Sequence, residues 1–364
     1  MDQRTDEGRP DAGPVWAVGV MTGTSMDGVD VAAIRTDGVE VFERLGGAET
    51  AMGDERRALI RFAVEHAADI KTSFLADRGR WPRWLRAVDA EVARTIGEGV
   101  ASVRAALAGE GGPWAPLAAP EAEVVLGVHG QTVAHRPDEG FTLQIGAPPP
   151  GERLTAFDWT EVYDFRSADM AAGGEGAPLA PFYHFALARL IGAEGPVAFL
   201  NLGGVGNVTF VDPAAPAPEA PGALLAFDTG PGSALIDDWM RAKTGAAMDE
   251  DGAAAAVGRV HKNALRSNAA GAFLARRPPK SLDRLSFHGM LDAVRDLSVV
   301  DGAATLTAFT AECVAASRRW AAEPPGRWIV CGGGRRNPTL MRMLADRLGA
   351  PVVGAEAVGL DGDL

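Results

Sequence analysis

Short apolar runs rich in valine and alanine alternate along this chain with polar loops that contain glycine. In residues 16–34 (WAVGVMTGTSMDGVDVAAI) two such runs flank the loop from Gly23 to Gly28, and in residues 197–210 (VAFLNLGGVGNVTF) two more flank Gly203 and Gly204. Apolar segments of strand length joined by a glycine turn predict a β-hairpin in each place. Taken alone, either loop is as typical of a surface turn as of a ligand-binding loop.

Helical periodicity separates these strand-like segments. Apolar residues that recur at intervals of three and four predict one long amphipathic helix lying against a sheet; they are Trp84, Val88, Val92, Ile96, Val100, Val103 and Leu107. The other predicted elements are a loop at residues 46–53, a helix from Asp54, a strand at 141–145, helices at 181–191 and 233–240, and a strand at 328–330 with a helix ending near Leu348. Strands that alternate with helices predict an α/β protein.

Length and composition fit a globular protein of two domains. A chain of 364 residues is long for one core. We predict a disordered N-terminus at 1–14, an N-terminal domain over 15–155 and a C-terminal domain over 156–364. The net charge of −13, with no block of Lys or Arg, argues against a nucleic-acid partner. Two cysteines and no apolar run long enough to span a membrane indicate a cytoplasmic protein with no membrane partner.

The scarcity of lysine restricts how phosphates could be held. The lysines are Lys71, Lys243, Lys262 and Lys280, and none follows a glycine-rich loop as the lysine of a P-loop does. Nucleotide phosphates would therefore be held by backbone amides, hydroxyl groups and a metal ion. The loop from Gly23 to Gly28 offers such groups, and the carboxylates of Asp27 and Asp30 suit a divalent ion beside them.

Polar residues follow several strands at their carboxyl ends, where α/β folds bind ligands. The apolar run at 123–128 ends at His129 and Gln131, and the run at 224–227 leads into Asp228 and a helix N-terminus. Asp228 suits a metal-bound phosphate, and an Asx-type turn explains it equally well. The second hairpin is not a dinucleotide fingerprint, because Thr209 stands where the third glycine belongs.

Two further segments carry candidate chemistry. Asp164, Arg166 and Asp169 precede a glycine-rich bend, although a solvated loop is the commoner interpretation of such residues. The triple glycine at 332–334 would let a flat base or ribose lie directly on the turn. Three strand-plus-glycine segments spread over the chain predict one nucleotide bound between two similar domains.

In this order along the chain, the residues resemble the anhydro-N-acetylmuramic acid kinase family, within the superfamily of acetate and sugar kinases, Hsp70 and actin. The matching strings are GVMTGTSMDGVD (19–30), HGQT (129–132), DFRSADMAAGGEGAPL (164–179), NLGGVGNVT (201–209), DTGPG (228–232), PPKS (278–281) and CGGGRRNPTLM (331–341). The resemblance implies a two-domain actin-like or sugar-kinase fold, of the ribonuclease H-like type, with an interdomain cleft.

The activity implied by the resemblance belongs to peptidoglycan recycling. It converts 1,6-anhydro-N-acetylmuramic acid, ATP and water to N-acetylmuramic acid 6-phosphate and ADP, with Mg²⁺. By position, Asp169 matches the catalytic base, and the sugar candidates are His129, Gln131 and Arg166. The nucleotide positions are Gly23, Thr24, Ser25, Met26, Asp27, Gly28, Val29, Asp30, Gly203, Gly204, Asn207, Gly332, Gly333 and Gly334, and the metal candidates are Asp27 and Asp228.

The resemblance departs from the family pattern at the end of the chain. Family members continue past an acidic-glycine segment like residues 359–363 into a helix, which the resemblance places back on the N-terminal domain. We therefore expect that helix to be absent, with nucleotide binding surviving better than catalysis. The oligomeric state is not determined, and a homodimer is one option.

Other functions remain open. Another amino-sugar or acetate kinase of the superfamily would use the same loops, although DFRSADMAAGG speaks against it. An actin- or Hsp70-like nucleotide switch would use the glycine turns without a small substrate. A serine hydrolase built on Ser25 is excluded, because the sequence around it lacks the G-x-S-x-G elbow.

Overall fold

The computed structural model describes residues 13–22, 28–67, 69–119, 121–148, 151–265, 271–280, 282 and 287–362. The chain divides into two compact units, Met1–Leu179 and Ala180–Leu364. The predicted boundary at 155/156 lies 24 residues earlier than this division. The segment in between remains with the first unit because a strand at Thr160–Tyr163 pairs with the sheet of that unit.

Unit 1 is built on a five-stranded mixed sheet. Its strands are β1 (Val15–Thr22), β2 (Gly28–Thr36), β3 (Val41–Ala51), β4 (Val124–Val128) and β7 (Thr160–Tyr163), and β5 (Gln131–Arg136) pairs with β6 (Phe141–Ile145) in a separate ribbon. The order across the sheet is β3-β2-β1-β4-β7. The first three strands are antiparallel neighbours, and β4 and β7 run parallel to β1.

The described part of unit 1 also contains four α-helices, the longest of which packs on this sheet. They are α1 (Asp54–Ala67), α2 (Thr72–Leu75), α3 (Arg83–Leu107) and α4 (Phe165–Ala171). The predicted apolar face of α3 is confirmed, since Val88, Val92, Ile96, Val100 and Val103 are buried in the core while the two terminal members are half-buried. Each fully buried aliphatic side chain of this kind contributes about 2 kcal/mol.

The prediction of a loop at residues 46–53 is wrong. Strand β3 continues to Ala51 and pairs with β2, with Gly47 opposite Ala32. A Cβ on Gly47 would lie 2.2 Å from the carbonyl oxygen of Val31. The glycine therefore allows close approach to the neighbouring strand, and the same residue type that marks a turn locally serves pairing here.

Unit 2 repeats the sheet of unit 1. Its strands are β8 (Val197–Leu202), β9 (Val205–Val211), β10 (Leu224–Pro231), β11 (Arg327–Cys331) and β12 (Val352–Gly354). The order is β10-β9-β8-β11-β12, again with three antiparallel strands followed by two that run parallel to the first. Both units thus have the strand order 3-2-1-4-5 of the ribonuclease H-like fold, which confirms the predicted fold class.

The helices of unit 2 contact that sheet or one another. They are α5 (Ala180–Leu190), α6 (Ala234–Thr244), α7 (Ala253–Val257), α8 (Lys262–Leu265), α9 (Gly271–Ala275), α10 (Gly289–Val294), α11 (Val299–Ser317) and α12 (Pro338–Leu348). Within the described ranges, the segment Val299–Trp320 alone is long and apolar enough to cross a membrane, and 67% of its apolar 18-residue stretch is buried inside the protein. This burial is typical of a core helix, and α11 packs against α6, α7 and α12.

Candidate active site

In unit 2 the predicted nucleotide segments meet at one end of the sheet. Gly203 and Gly204 connect β8 to β9, and the adjacent parallel strand β11 ends at Cys331, opposite Asn201 of β8. The triple glycine follows directly, so it lies beside the hairpin. Asp228 of β10 pairs with Asn207 of β9. Segments separated by more than a hundred residues therefore share the strand ends at which α/β folds bind ligands.

The glycines at this edge fall into two groups. A Cβ on Gly332 would lie 2.3 Å from Asn201 Oδ1, and one on Gly334 would lie 2.6 Å from Leu202 Cβ, so internal packing requires both. In contrast, a Cβ on Gly203 or Gly204 would have its nearest neighbour at 3.8 Å, and one on Gly333 would meet nothing within 4 Å. Three glycines thus border open space, where bare backbone lets a ligand approach closely.

The helix that follows Asp228 is fixed to the hairpin. The amide of Gly232 donates to Gly204 O at 3.0 Å, and the amide of Ser233 donates to Gly203 O at 2.8 Å. A Cβ on Gly232 would lie 2.0 Å from Gly203 O, so glycine is required there. The start of α6 therefore sets the position of the hairpin tip.

Asp228 is a partly buried carboxylate held by backbone. Its Oδ2 accepts a hydrogen bond from the Leu282 amide at 2.7 Å, and its own amide donates to Lys280 O at 3.0 Å. Burial raises the pKa of Asp228 to about 6, and the bond from Leu282 lowers it in part. A carboxylate whose ionised form is disfavoured by its surroundings is typical of a functional position.

The donor set fits Mg²⁺ held largely by phosphates better than a cage made only of protein. Over the described ranges no group of three or more His, Cys, Asp or Glu residues could hold a metal ion. Mg²⁺ commonly takes one or two carboxylates together with phosphate oxygens and water. Asp228 supplies one such carboxylate, and the other candidate, Asp27, lies outside the described residues, as do Gly23, Thr24, Ser25 and Met26.

The remaining positions of the first loop belong to the start of β2. Val29 pairs with Thr22 of β1, so the predicted hairpin is confirmed on both sides of its loop. Asp30 is exposed and pairs with Met21. Gly28 is buried against Glu49, whose Oε1 lies 2.3 Å from the site of a Cβ.

Unit 1 contains a cavity of about 450 Å³, a size within the usual range of small-ligand pockets. Apolar side chains such as Trp81, Phe141 and Met170 form much of its wall. The polar side chains that line it are Arg78, His129, Thr142, Gln144, Tyr163, Asp164 and Ser167. The mixture of aromatic and hydrogen-bonding groups suits a polar, compact molecule such as a sugar.

Two features of the wall point to ligand binding. Asp164 has φ of 65° and ψ of 37°, a left-handed conformation that is uncommon for a residue other than glycine. The Oε1 atom of Gln144 is buried and has no hydrogen-bond partner in the described part of the chain, although its Nε2 donates to Thr142 Oγ1 at 2.8 Å. Buried polar atoms normally have partners, so this oxygen is an exception in the cavity wall.

Three of the four predicted catalytic and sugar residues of unit 1, His129, Arg166 and Asp169, are linked by hydrogen bonds through Gly176. Arg166 Nη2 contacts His129 Nε2 at 2.7 Å, and its Nη1 donates to Gly176 O at 2.7 Å. The amide of Gly176 donates to Asp169 Oδ2, also at 2.7 Å. Gln131 is 1% exposed and its Oε1 has no partner among the described residues. Of these predicted residues, only His129 lines the cavity.

Sequence reasoning missed part of the cavity wall. Helix α4 was not predicted, although Ser167, Met170 and Ala171 have the spacing of one helix face and line the cavity together. That spacing was the available signal. Arg78 and Trp81, which follow the short helix α2, carry no local signal because only tertiary packing brings them to β6.

Comparison with known proteins gives consistent results. A family model described as anhydro-N-acetylmuramic acid kinase matches residues 15–364. A protein of that name from Cereibacter sphaeroides is 49% identical over 353 residues, which cover 97% of this chain and 86% of that protein. Another from Rhodospirillum rubrum is 47% identical over 356 residues, covering 98% and 86%.

Similar solved structures are more distant. They include an activator of 2-hydroxyisocaproyl-CoA dehydratase from Clostridium difficile with bound ADPNP, with 11% identity, a TM-score of 0.42 and coverage of 93% of this chain and 88% of that one. A ROK family glucokinase from Streptomyces griseus in complex with glucose and AMPPNP has 14% identity, a TM-score of 0.36 and coverage of 95% and 96%. The fold assignment rests on the repeated sheet order and not on these scores.

Proposed function

The chain belongs to the anhydro-N-acetylmuramic acid kinase family, and we propose that it opens 1,6-anhydro-N-acetylmuramic acid with water and phosphorylates O6 with ATP. The products are N-acetylmuramic acid 6-phosphate and ADP. The observation that carries the nucleotide half of this proposal is the open edge in unit 2, where Gly203, Gly204 and Gly333 leave room for a ligand against bare backbone. This activity places the protein in peptidoglycan recycling, and we assign it to the cytoplasm.

We assign ATP to the sheet end of unit 2. Phosphates would contact the hairpin tip at Gly203 and Gly204, near Asn207, and the adenosine would lie on residues 332–334. Asp228 would hold Mg²⁺ there, which would supply charge stabilisation on the transferring phosphoryl group. Asp27 is the metal candidate of the first loop. The four lysines do not belong to a P-loop, so amides and hydroxyl groups carry the remaining phosphate contacts.

We assign the amino sugar to the cavity of unit 1. Its volume of about 450 Å³ and its polar wall suit a bicyclic sugar with acyl substituents. Thr142 and Gln144 line the cavity and would hydrogen-bond a hydroxyl or amide group of the sugar. Asp164, held in its left-handed conformation at the same wall, offers a carboxylate to sugar hydroxyls.

Asp169 would act as the general base from beside the cavity, since the next residue of its helix, Met170, lines the cavity wall. Its Oδ2 accepts a hydrogen bond from Gly176, and its Oδ1 has no donor among the described residues, which leaves that oxygen for a water molecule. The water oxygen forms a bond to C1 of the sugar, the bond between C1 and O6 breaks, and the proton passes to Asp169. O6 then forms a bond to the γ-phosphorus as ADP leaves. Attack from the face opposite the bridge predicts inversion at C1.

Mass spectrometry in ¹⁸O-labelled water tests this reaction. Incubation with the anhydro sugar, ATP and Mg²⁺ is expected to give one phosphorylated sugar that carries the label at C1. Unlabelled product would contradict water attack at C1, and ADP without phosphorylated sugar would favour a nucleotide switch. A panel of N-acetylhexosamines and acetate distinguishes other kinases of the superfamily.

The variant Asp169→Asn tests the base directly. We expect loss of sugar phosphorylation with little change in ATP affinity, because a water-activating group matters chiefly in the transition state. Product analysis and a nucleotide titration measure the two effects separately. A near-normal rate in the variant would remove Asp169 from the mechanism.

A further inference from the structure

A single glycine connects the proposed base to a half-buried arginine. The Gly176 amide donates to Asp169 Oδ2, and the Gly176 carbonyl accepts from Arg166 Nη1, both at 2.7 Å. Gly176 is buried and has φ of 73°, a conformation that favours glycine. The position of the Gly176 backbone therefore fixes one carboxylate oxygen of Asp169, and Arg166 fixes that backbone from its other side.

His129 in turn holds the guanidinium of Arg166. Its Nδ1 lies 2.7 Å from Gly130 O, and a carbonyl oxygen only accepts, so the ring proton resides on Nδ1. Nε2 then carries the lone pair that accepts from Arg166 Nη2 at 2.7 Å and from its Nε at 3.2 Å. Burial, together with the charge of Arg166, lowers the pKa of His129, which maintains the neutral acceptor.

The glycine turn also packs directly on the carboxylate. A Cβ on Gly174 would lie 2.1 Å from Asp169 Oδ2 and 2.5 Å from its Cγ. The amide of Gly174 donates to the backbone carbonyl of Asp169 at 2.9 Å. The turn and Asp169 therefore pack together, and Arg166 is hydrogen-bonded to the same turn at Gly176 O.

We propose that His129 and Arg166 are positioning residues, which orient Asp169 through Gly176, and not hydrogen-bonding ligands of the sugar. His129 lines the cavity, but both its ring nitrogens are already bonded within the protein. This inference rests on the proposed function, because only that function makes Asp169 a base that acts on a substrate. Three of the N–H groups of Arg166 are already used within the protein. Loss of the His129 acceptor would free the guanidinium, loosen Gly176 and misplace the base.

A matched pair of variants isolates the atom that matters. In His129→Asn the side-chain amide takes the place of Nδ1 and keeps the donor to Gly130, but the acceptor for Arg166 is lost. In His129→Gln the carbonyl oxygen takes the place of Nε2 and keeps that acceptor. His66→Asn is the control, because His66 is exposed on α1 and its ring stacks on Phe62.

Steady-state kinetics on the full chain give the first readout. We expect His129→Asn to lower kcat by about 10- to 100-fold while KM for the anhydro sugar and for ATP changes less than about twofold, since misplacing a catalytic group costs rate. His129→Gln should recover most of the rate, and the control should match wild type. A rise in KM with kcat retained, or a Gln variant as slow as the Asn variant, would overturn the proposal.

Amide hydrogen exchange gives a readout that needs no substrate. Exchange of the Gly176 amide should accelerate about tenfold or more in His129→Asn and remain near wild type in His129→Gln, because the bond to Asp169 Oδ2 is weakened only in the first. Unchanged exchange in both variants would refute the linkage even if the kinase assay failed. A wild-type protein without activity, but with this exchange pattern, would refute the proposed function and leave the linkage standing.

Discussion

Replacing Asp228 by asparagine should make the protein more stable at neutral pH. The carboxylate is disfavoured by burial, which raises its pKa from 3.8 to about 6 in the folded chain. Asparagine keeps an oxygen that can accept the Leu282 amide, which lies 2.7 Å from the present Oδ2. The variant therefore removes a buried charge while retaining the principal hydrogen bond.

The expected magnitude follows from the two pKa values. Because the pKa of Asp228 is higher in the folded state, the folded state binds the proton more tightly than the unfolded state. Loss of that proton therefore lowers the free energy of unfolding progressively as the pH rises from about 4, and the effect reaches a plateau above about pH 6. For a shift from 3.8 to about 6, the free energy of unfolding lost by wild type is roughly 0.6 kcal/mol at pH 4, about 1.6 kcal/mol at pH 5 and about 3 kcal/mol at pH 8. Asp228→Asn should gain approximately these amounts.

Urea unfolding of both proteins across that pH range measures the difference. Asp346→Asn on the exposed surface of α12 controls for loss of one charge. If Asp228 also holds Mg²⁺ as proposed, the more stable variant should lose kinase activity and need more Mg²⁺. A stability difference that does not change with pH, or a variant less stable than wild type at pH 8, would refute the argument from buried charge.

Three other substitutions test packing and titration. Gly174→Ala should lower kcat about tenfold with little change in the KM for the sugar, because the new Cβ would lie 2.1 Å from Asp169 Oδ2. Gly53→Ala is its control: a Cβ there has nothing within 4 Å, so this variant should match wild type in the kinase assay. Gly302→Ala should lower the free energy of unfolding by about 1–3 kcal/mol because its Cβ would lie 2.1 Å from Trp239 Cζ2. The exposed Gly289→Ala should change it by less than about 0.5 kcal/mol in the same denaturation assay. Burial lowers the pKa of His184 to about 4, so on acidification below about pH 6.5 the unfolded chain binds a proton before the folded chain does. The free energy of unfolding should therefore fall by about 2.5 kcal/mol more in wild type than in His184→Asn between pH 7 and about pH 4.5. Equal losses in the two proteins would contradict this.

Local periodicity was sufficient to predict elements that bury a single face. The apolar stripe of α3 predicted the buried face at Val88, Val92, Ile96, Val100 and Val103, because a helix on a sheet buries every third or fourth residue. The strands on both sides of each predicted loop were also correct. The order of the glycine strings indicated the family, since together they are specific even though each is weak alone.

Tertiary structure decided what the same residue types do. Gly47 was predicted to lie in a loop, yet it lies in β3. Glycine is needed there because the carbonyl oxygen of Val31 occupies the space that a side chain would take. Strand β7 joins the first sheet, which moves the division of the chain from 155/156 to 179/180. Pairing partners of this kind are distant along the chain, and their positions leave no local pattern.

The candidate site shows the same contrast. The sequence predicted His129, Arg166 and Asp169 as candidates for the chemistry and a glycine-rich bend after the last two. It did not determine that the backbone of Gly176 joins Arg166 to Asp169, nor that Gly174 packs against the carboxylate. Those relations depend on which atoms a turn brings within 3 Å, and distances on that scale arise only when the chain has folded.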